Sequence, residues 1–323
     1  MAVRWTKINE TSTTGDLPTN AANTYQVGVT SGGGLVEFLT IKYDLTFAAT
    51  PVAASEVSAL INDVRIVCNG ETVHDFVASY ANNAIDQASQ YGYLINSIGG
   101  RSVEEPSTTP AVRLGYFNIP LGRNLPAGVN RWEITFGTVA AAAAITSGSL
   151  QFWLKYNDNC QRTTLVTPAT SFQSSISQEQ VVVNVPQNVP AGAVVTSLMV
   201  TNDAAADELN GIRINALSDF SISPSQYRAD NGDLLGDGPT MFNAGNTATS
   251  LTRISYTLGA LNIPCYGMTG GNLTLAVDST AAATRRYQPI MTWPVGGKSA
   301  QEVKQTQASV GNTATAQLKN TLQ

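Results

Sequence analysis

Leu114-Gly115-Tyr116-Phe117-Asn118-Ile119-Pro120 is answered later in the chain by Leu258-Gly259-Ala260-Leu261-Asn262-Ile263-Pro264. The shared pattern, L-G-x-x-N-I-P, recurs at an offset of 258 − 114 = 144. Asp75-Phe76 returns as Asp219-Phe220 on the same diagonal, 219 − 75 = 144. Asn62-Asp63-Val64-Arg65-Ile66 resembles Asn210-Gly211-Ile212-Arg213-Ile214 at 210 − 62 = 148, and Trp153 and Trp293 close the two stretches at 293 − 153 = 140. Several echoes in one order read as a duplication. Each unit then holds roughly 150 residues, enough for an eight-stranded sandwich with its own core. The expected units are 1–165, with an N-terminal arm, and 166–323, with a polar C-terminal tail, joined through the Thr-, Ser-, Gln- and Pro-rich stretch from Asn157 to Gln187.

The rest of the chain reads as short strands punctuated by Gly, Pro, Asn and Ser. From Leu39 onward, Leu39, Ile41, Tyr43, Leu45 and Phe47 alternate with Thr40, Lys42, Asp44 and Thr46, a period of two with one buried face. Val64–Cys68 followed by Asn69-Gly70 predicts a strand entering a tight hairpin, because Asn-Gly favours positive φ. Further strands are expected at 132–136, 150–156, 181–185, 194–200, 212–215, 250–258, 273–277 and 288–293. Helix is scarce. Ala84, Ile85, Ala88, Tyr91, Leu94 and Ile95 recur at three- and four-residue steps and predict a helix near 83–96, and a shorter one is expected within 51–61. The fold class is all-β, a sandwich or barrel.

Composition narrows the function. The 323 residues carry 18 Lys+Arg and 23 Asp+Glu, a net charge of −5, and only 13% are charged. Disorder needs high charge and low hydrophobicity, and a dedicated nucleic-acid binder needs a basic stripe, so neither is expected. Thr, Ser, Asn and Gln carry the polar surface instead. Such side chains are buried at interfaces at low cost when hydrogen-bonded, which suits a subunit covered by neighbours and also suits an extracellular β-protein. Cys68, Cys160 and Cys265 form no C-x-x-C pair and are expected as free thiols. Met1 to Asn20 contains no apolar core of signal-peptide length, so no export signal is expected.

These features together resemble the double jelly-roll major capsid proteins of icosahedral viruses with an internal membrane, and the compact size resembles those of the marine corticovirus and the lipid-containing flavobacterial phages. The resemblance spans roughly residues 25 to 295 and rests on architecture more than on a diagnostic motif. It implies two tandem eight-stranded jelly-roll barrels with few short helices. It implies a structural, non-enzymatic subunit whose homotrimers are pseudo-hexameric and tile a shell. The partners implied are the chain itself, minor capsid and vertex proteins and internal membrane lipids, with no sequence-specific nucleic-acid binding. The place implied is the virion, after synthesis in the host cytoplasm. The reading from a different class is a two-domain carbohydrate-binding β-sandwich, such as a phage receptor-binding or adhesin module. The two differ in self-association.

No catalytic set emerges. His74, the one histidine, precedes Asp75, but neighbours on a strand point to opposite faces and do not pair. Asp230, Asp233 and Asp237 lie in a Gly-rich loop whose oxygens suit Ca²⁺, although the spacing is not that of an EF-hand. Ca²⁺ is the one cofactor this raises. Arg4, Trp5 and Lys7 place two cations around an indole, a combination that favours an anionic headgroup zone and marks a membrane contact, or else an arm packed on a neighbour. Gly32-Gly33-Gly34 lacks the Lys-Ser/Thr of a phosphate loop, and Glu104-Glu105 precedes Pro106; both are expected as linkers. Residues 299–323 are expected as a polar tail.

Overall fold

The computed structural model describes residues 3–11, 23–47, 63–77, 91–92, 94–95, 97–105, 112–136, 145–167, 169–174, 178–184, 192–202, 209–214, 223, 226, 241–242, 252–253, 260–269, 272–279 and 283–295. The strands are β1 (Arg4–Thr11), β2 (Asn23–Phe47), β3 (Asp63–Cys68), β4 (Glu71–Val77), β5 (Arg101–Glu105), β6 (Val112–Phe136), β7 (Ile145–Tyr156), β8 (Arg162–Val166) and β9 (Thr170–Ser174). They continue with β10 (Gln178–Asn184), β11 (Val194–Asn202), β12 (Leu209–Ile214), β13 (Met241–Phe242), β14 (Thr252–Arg253), β15 (Ala260–Thr269), β16 (Asn272–Ser279) and β17 (Ala283–Pro294). Helical backbone is limited, among the described residues, to positions within 91–97, the end of the expected helix, and to Gln226. None of the described helix is long and apolar enough to cross a membrane.

The duplication is visible in the sheets. One ladder runs β1-β7-β2-β6 and another β17-β11-β15, with β8 and β9 on the free side of β17 in the place that β1 takes beside β7. The opposing layer of the first unit is β2-β6-β3, and that of the second is β10-β16-β12, in the same order. In the first unit β2 and β6 are unbroken 25-residue strands that bend from one layer into the other. In the second, the same paths are taken by separate strands, β10 then β11 and β15 then β16. This is the double jelly roll.

The L-G-x-x-N-I-P echo has a structural reason. The ladder between β2 and β6 slips between Val36 and Phe38, opposite Pro120, and that between β11 and β15 slips between Val195 and Ser197, opposite Pro264. The two bulges are equivalent, 195 − 36 = 159 and 197 − 38 = 159. A proline cannot donate to a ladder and is tolerated inside a sheet at a bulge. The pattern therefore encodes a bulge twice. The Trp153/Trp293 echo does not survive. The registers place Lys155 opposite Phe38 and Ile290 opposite Ser197, an offset of 290 − 155 = 135, so the position equivalent to Trp153 is Gln288. Trp153 faces outward, whereas Trp293 is buried in the second core.

Two hydrophobic cores result. The first gathers Leu39, Ile41, Phe76, Phe117, Ile119, Trp132 and Phe152; the second gathers Leu198, Val200, Ile212, Ile263, Leu275 and Tyr287. Asn69 and Gly70 adopt positive φ (51° and 83°) as the Asn-Gly turn requires, and Asn69 ties the hairpin to β6 by accepting from the Arg131 amide at 2.8 Å. Two expectations are corrected. Gly32-Gly33-Gly34 is no linker: it lies inside β2, where positive φ at Gly33 and Gly34 lets the strand bend between layers. Glu104 and Glu105 end strand β5, paired with β6, because Arg101–Glu105 finds an open ladder there. β8 straddles the expected division at 165/166, and its antiparallel partner is β17.

All three cysteines are free, with Cys68 and Cys265 buried and Cys160 partly exposed. Burial pushes the Cys68 thiol up to about 11 and that of Cys265 up to about 12, so neither supplies a thiolate near neutrality. Titration of the native chain with a thiol reagent is expected to modify one thiol quickly, Cys160, and all three only after unfolding. Three rapid equivalents in native buffer would contradict the burial.

Candidate functional site

The outer face of the first unit is built by β1, β7 and β2. Because side chains alternate, the register sets Trp5, Lys155 and Phe38 in one row and Lys7, Trp153 and Thr40 in the next. Trp5 is 46% exposed and Val3, two residues before it, 52%. The Lys155 ammonium lies 5.8 Å from the Trp5 ring centre and 5.0 Å from that of Phe38, and Lys7 lies 5.8 Å from that of Trp153. Both cations also have carboxylate partners: Lys155 meets Glu37 at 2.8 Å and Lys7 meets Glu10 at 2.6 Å. The Lys7 ammonium beside Glu10 holds its carboxyl below the usual carboxylate range. Gln151 donates to the same carboxylate at 2.9 Å, and Thr40 donates to Asn118 Oδ1 at 2.5 Å. The part of the face around Trp5, Phe38 and Trp153 is thus aromatic, with Lys7 and Lys155 each matched by a carboxylate, and Lys42 and Asp44 are exposed further along β2.

The three residues that the sequence grouped at the N-terminus do not converge. Trp5 and Lys7 share the outer face, while Arg4 belongs to the other face of β1 and its guanidinium lies 4.4 Å from the Tyr156 ring centre. Asp230, Asp233 and Asp237 lie outside the described residues. Among the described residues no group of three His, Cys, Asp or Glu side chains is placed to hold a metal ion. His74 is sealed at 1% exposure, shares a hydrogen bond of 3.0 Å with the Tyr91 hydroxyl through Nε2, and is held down at about 3 by burial. Asp75 points the other way, 4.0 Å from Arg65.

The equivalent face of the second unit has a different fate. Through the registers, Trp5, Lys155 and Phe38 correspond to Val166, Ile290 and Ser197, and Trp153 and Thr40 to Gln288 and Met199. All five of these second-unit residues are buried. Val166, Ile290 and Met199 belong to the first core, so this face is covered by the first unit. The cover is the β4 side. His74 bridges Val166 in parallel pairing, and Gln288 Nε2 donates to the Asp75 carbonyl at 2.7 Å. Thr163 donates to the Gly122 carbonyl at 2.7 Å where β8 crosses the bend of β6. β11 is consequently buried on both faces, Leu198 and Val200 inward to the second core and Ser197, Met199 and Thr201 outward, with Met199 in the first core. Neither face was distinguished by sequence reading. The available signal was the exchange of Lys155 and Trp153 for Ile290 and Gln288 at matched positions.

No protein-family model matches the chain, and no curated protein sequence matches it. Solved structures do. The STIV MCP superposes with a TM-score of 0.55 at 10% identity, over 92% of this chain and 98% of that one. The major capsid protein P2 from Bacteriophage PM2 gives a TM-score of 0.49 at 12% identity, over 92% of this chain and all (100%) of that one. A peptide-N(4)-(N-acetyl-β-D-glucosaminyl) asparagine amidase gives 0.39 at 11% identity, over 90% and 96%. The first of these similarities establishes a shared fold.

Proposed function

We propose that this chain is a structural subunit of a viral capsid, built of two duplicated jelly rolls that divide just before Arg162, and that three copies close into a pseudo-hexameric unit of an icosahedral shell. The observation that carries the reading is the repeat of one strand order and one bulge in two units packed side by side. A doubled unit makes half of the contacts around a six-fold-like position intramolecular, which removes part of the entropy cost of association. A surface poor in charge and rich in Thr, Asn and Ala fits burial against neighbours. The fold shared with the STIV MCP supports it. On this reading the chain acts in the virion, reaches it from the host cytoplasm, meets itself and minor vertex proteins, and performs no catalysis.

The test is sedimentation and negative-stain microscopy of the purified full chain. The expected species is a trimer of 3 × 34.1 = 102.3 kDa with a hexagonal outline. A monomer or dimer that retains a glycan would favour the carbohydrate-binding reading and overturn this one.

A further inference from the structure

We infer that the exposed Trp5–Phe38–Trp153 face of the first unit is the docking site for the second unit of another copy of this chain. The inference rests on the capsid reading for its stoichiometry but on the duplication for its geometry. Inside one chain, the outer face of the second unit is already covered by the β4 side of the first. That contact is heterologous: a face of one copy of the fold meets a different side of the other. A heterologous contact between two like units leaves one face of the first kind and one side of the second kind unused. The open face is the first unit's β1-β7-β2 surface, where Trp5 is exposed, and its counterpart is the side of the second unit next to β12, the strand matched to β3; the match to β4 lies outside the described residues. Repeating the intrachain contact between chains joins the two, and a ring results when the rotation closes.

The chemistry of the face agrees with a protein occupant. Trp5 and Val3 are exposed apolar groups, and the second-unit positions matched to Trp5 and Lys155, Val166 and Ile290, are buried in the first core. Aromatic side chains are enriched at protein interfaces and carry most of the energy where they are central. An anionic lipid surface would need a cluster of free cations, and here Lys7 is matched by Glu10 and Lys155 by Glu37, which leaves Lys42 of β2 as the exposed cation of this face without an ion pair among the described residues. Arg4, the remaining cation of the N-terminal group, sits over Tyr156 on the other face.

A photo-crosslinking residue at position 5 of the full chain tests the contact. Irradiation is expected to give crosslinked dimers whose joined peptide comes from the second unit, within 162–294. Trp5→Ala and, independently, Phe38→Ala are each expected to weaken self-association at least tenfold with unchanged circular dichroism. Val129→Ala, which removes an exposed valine of β6 that is neither on the β1-β7-β2 face nor in the second unit (66% exposed), is expected to leave association unchanged. Oligomers that crosslink only through first-unit peptides would overturn the inference and leave the capsid reading standing. So would co-flotation with phosphatidylglycerol vesicles that Trp5→Ala abolishes without changing association. A chain that is monomeric and absent from particles would overturn both.

Discussion

Gly122→Ala is expected to destabilise the chain by about 3 kcal/mol or more, combining left-handed strain with overpacking. Gly122 has φ of 62°, and a Cβ there would strike the carbonyl of Arg162 and the Cα of Thr163, backbone atoms of β8 that cannot rotate away. The same approach brings the Thr163 hydroxyl onto the Gly122 carbonyl at 2.7 Å, so a displaced β8 also loses a buried hydrogen bond. Gly70→Ala separates the two causes. Gly70 also has positive φ, 83°, but open space where its Cβ would go, so it is expected to cost only the backbone part, about 1 kcal/mol. Chemical denaturation of the two variants beside wild type provides the comparison. Equal losses would mean that β8 is not held tightly against β6 and that the angle between the units is not fixed there. The angle matters to the proposed capsid role because a heterologous contact closes into a ring at one rotation only.

How much of this was legible depended on what local sequence encodes. The bulge opposite Pro120 and Pro264 was legible as L-G-x-x-N-I-P, since a proline in a sheet demands a particular partner geometry in both copies. The Asn69-Gly70 turn was legible for the same kind of reason. The length of β2 was not, because Gly32-Gly33-Gly34 signals a break, and here the glycines bend a strand that continues. β1 was not read as a strand either: Arg4–Thr11 alternates weakly, and its place is set by the open edge of β7. The Trp153/Trp293 echo misled because matched letters can lie on opposite faces once a register has shifted. The docking face was hidden for a deeper reason. Exposure of Trp5 and burial of Val166 follow from how the two units pack on each other, which no pattern within one unit records.

Acid is expected to weaken the fold through His74, by about 2 kcal/mol between pH 8 and pH 5. Burial holds its imidazole at about 3 in the folded chain against 6.5 when unfolded. A depressed histidine means that the unfolded chain binds the proton more readily between those values. The stability is therefore complete above 6.5 and is lost as pH falls toward 3. Asp75, whose carboxyl is raised by burial and partly opposed by Arg65, acts in the opposite sense, since its folded form prefers the proton. Its pull on stability is opposite to that of His74, so a net fall from pH 6.5 to 5 belongs to His74. His74→Phe isolates it. The ring keeps its edge contact with Tyr91, whose centre lies 5.7 Å away, but cannot titrate. The variant starts lower, because the Tyr91 hydroxyl loses its partner at about 1–3 kcal/mol, yet its stability is expected to stay level across that interval. A wild-type slope that persists in His74→Phe would assign the acid sensitivity elsewhere. The position of His74 gives the effect its reach. It bridges Val166 of β8, and the next carbonyl, Asp75, holds Gln288 of β17, so a proton that disturbs β4 loosens the contact between the two units.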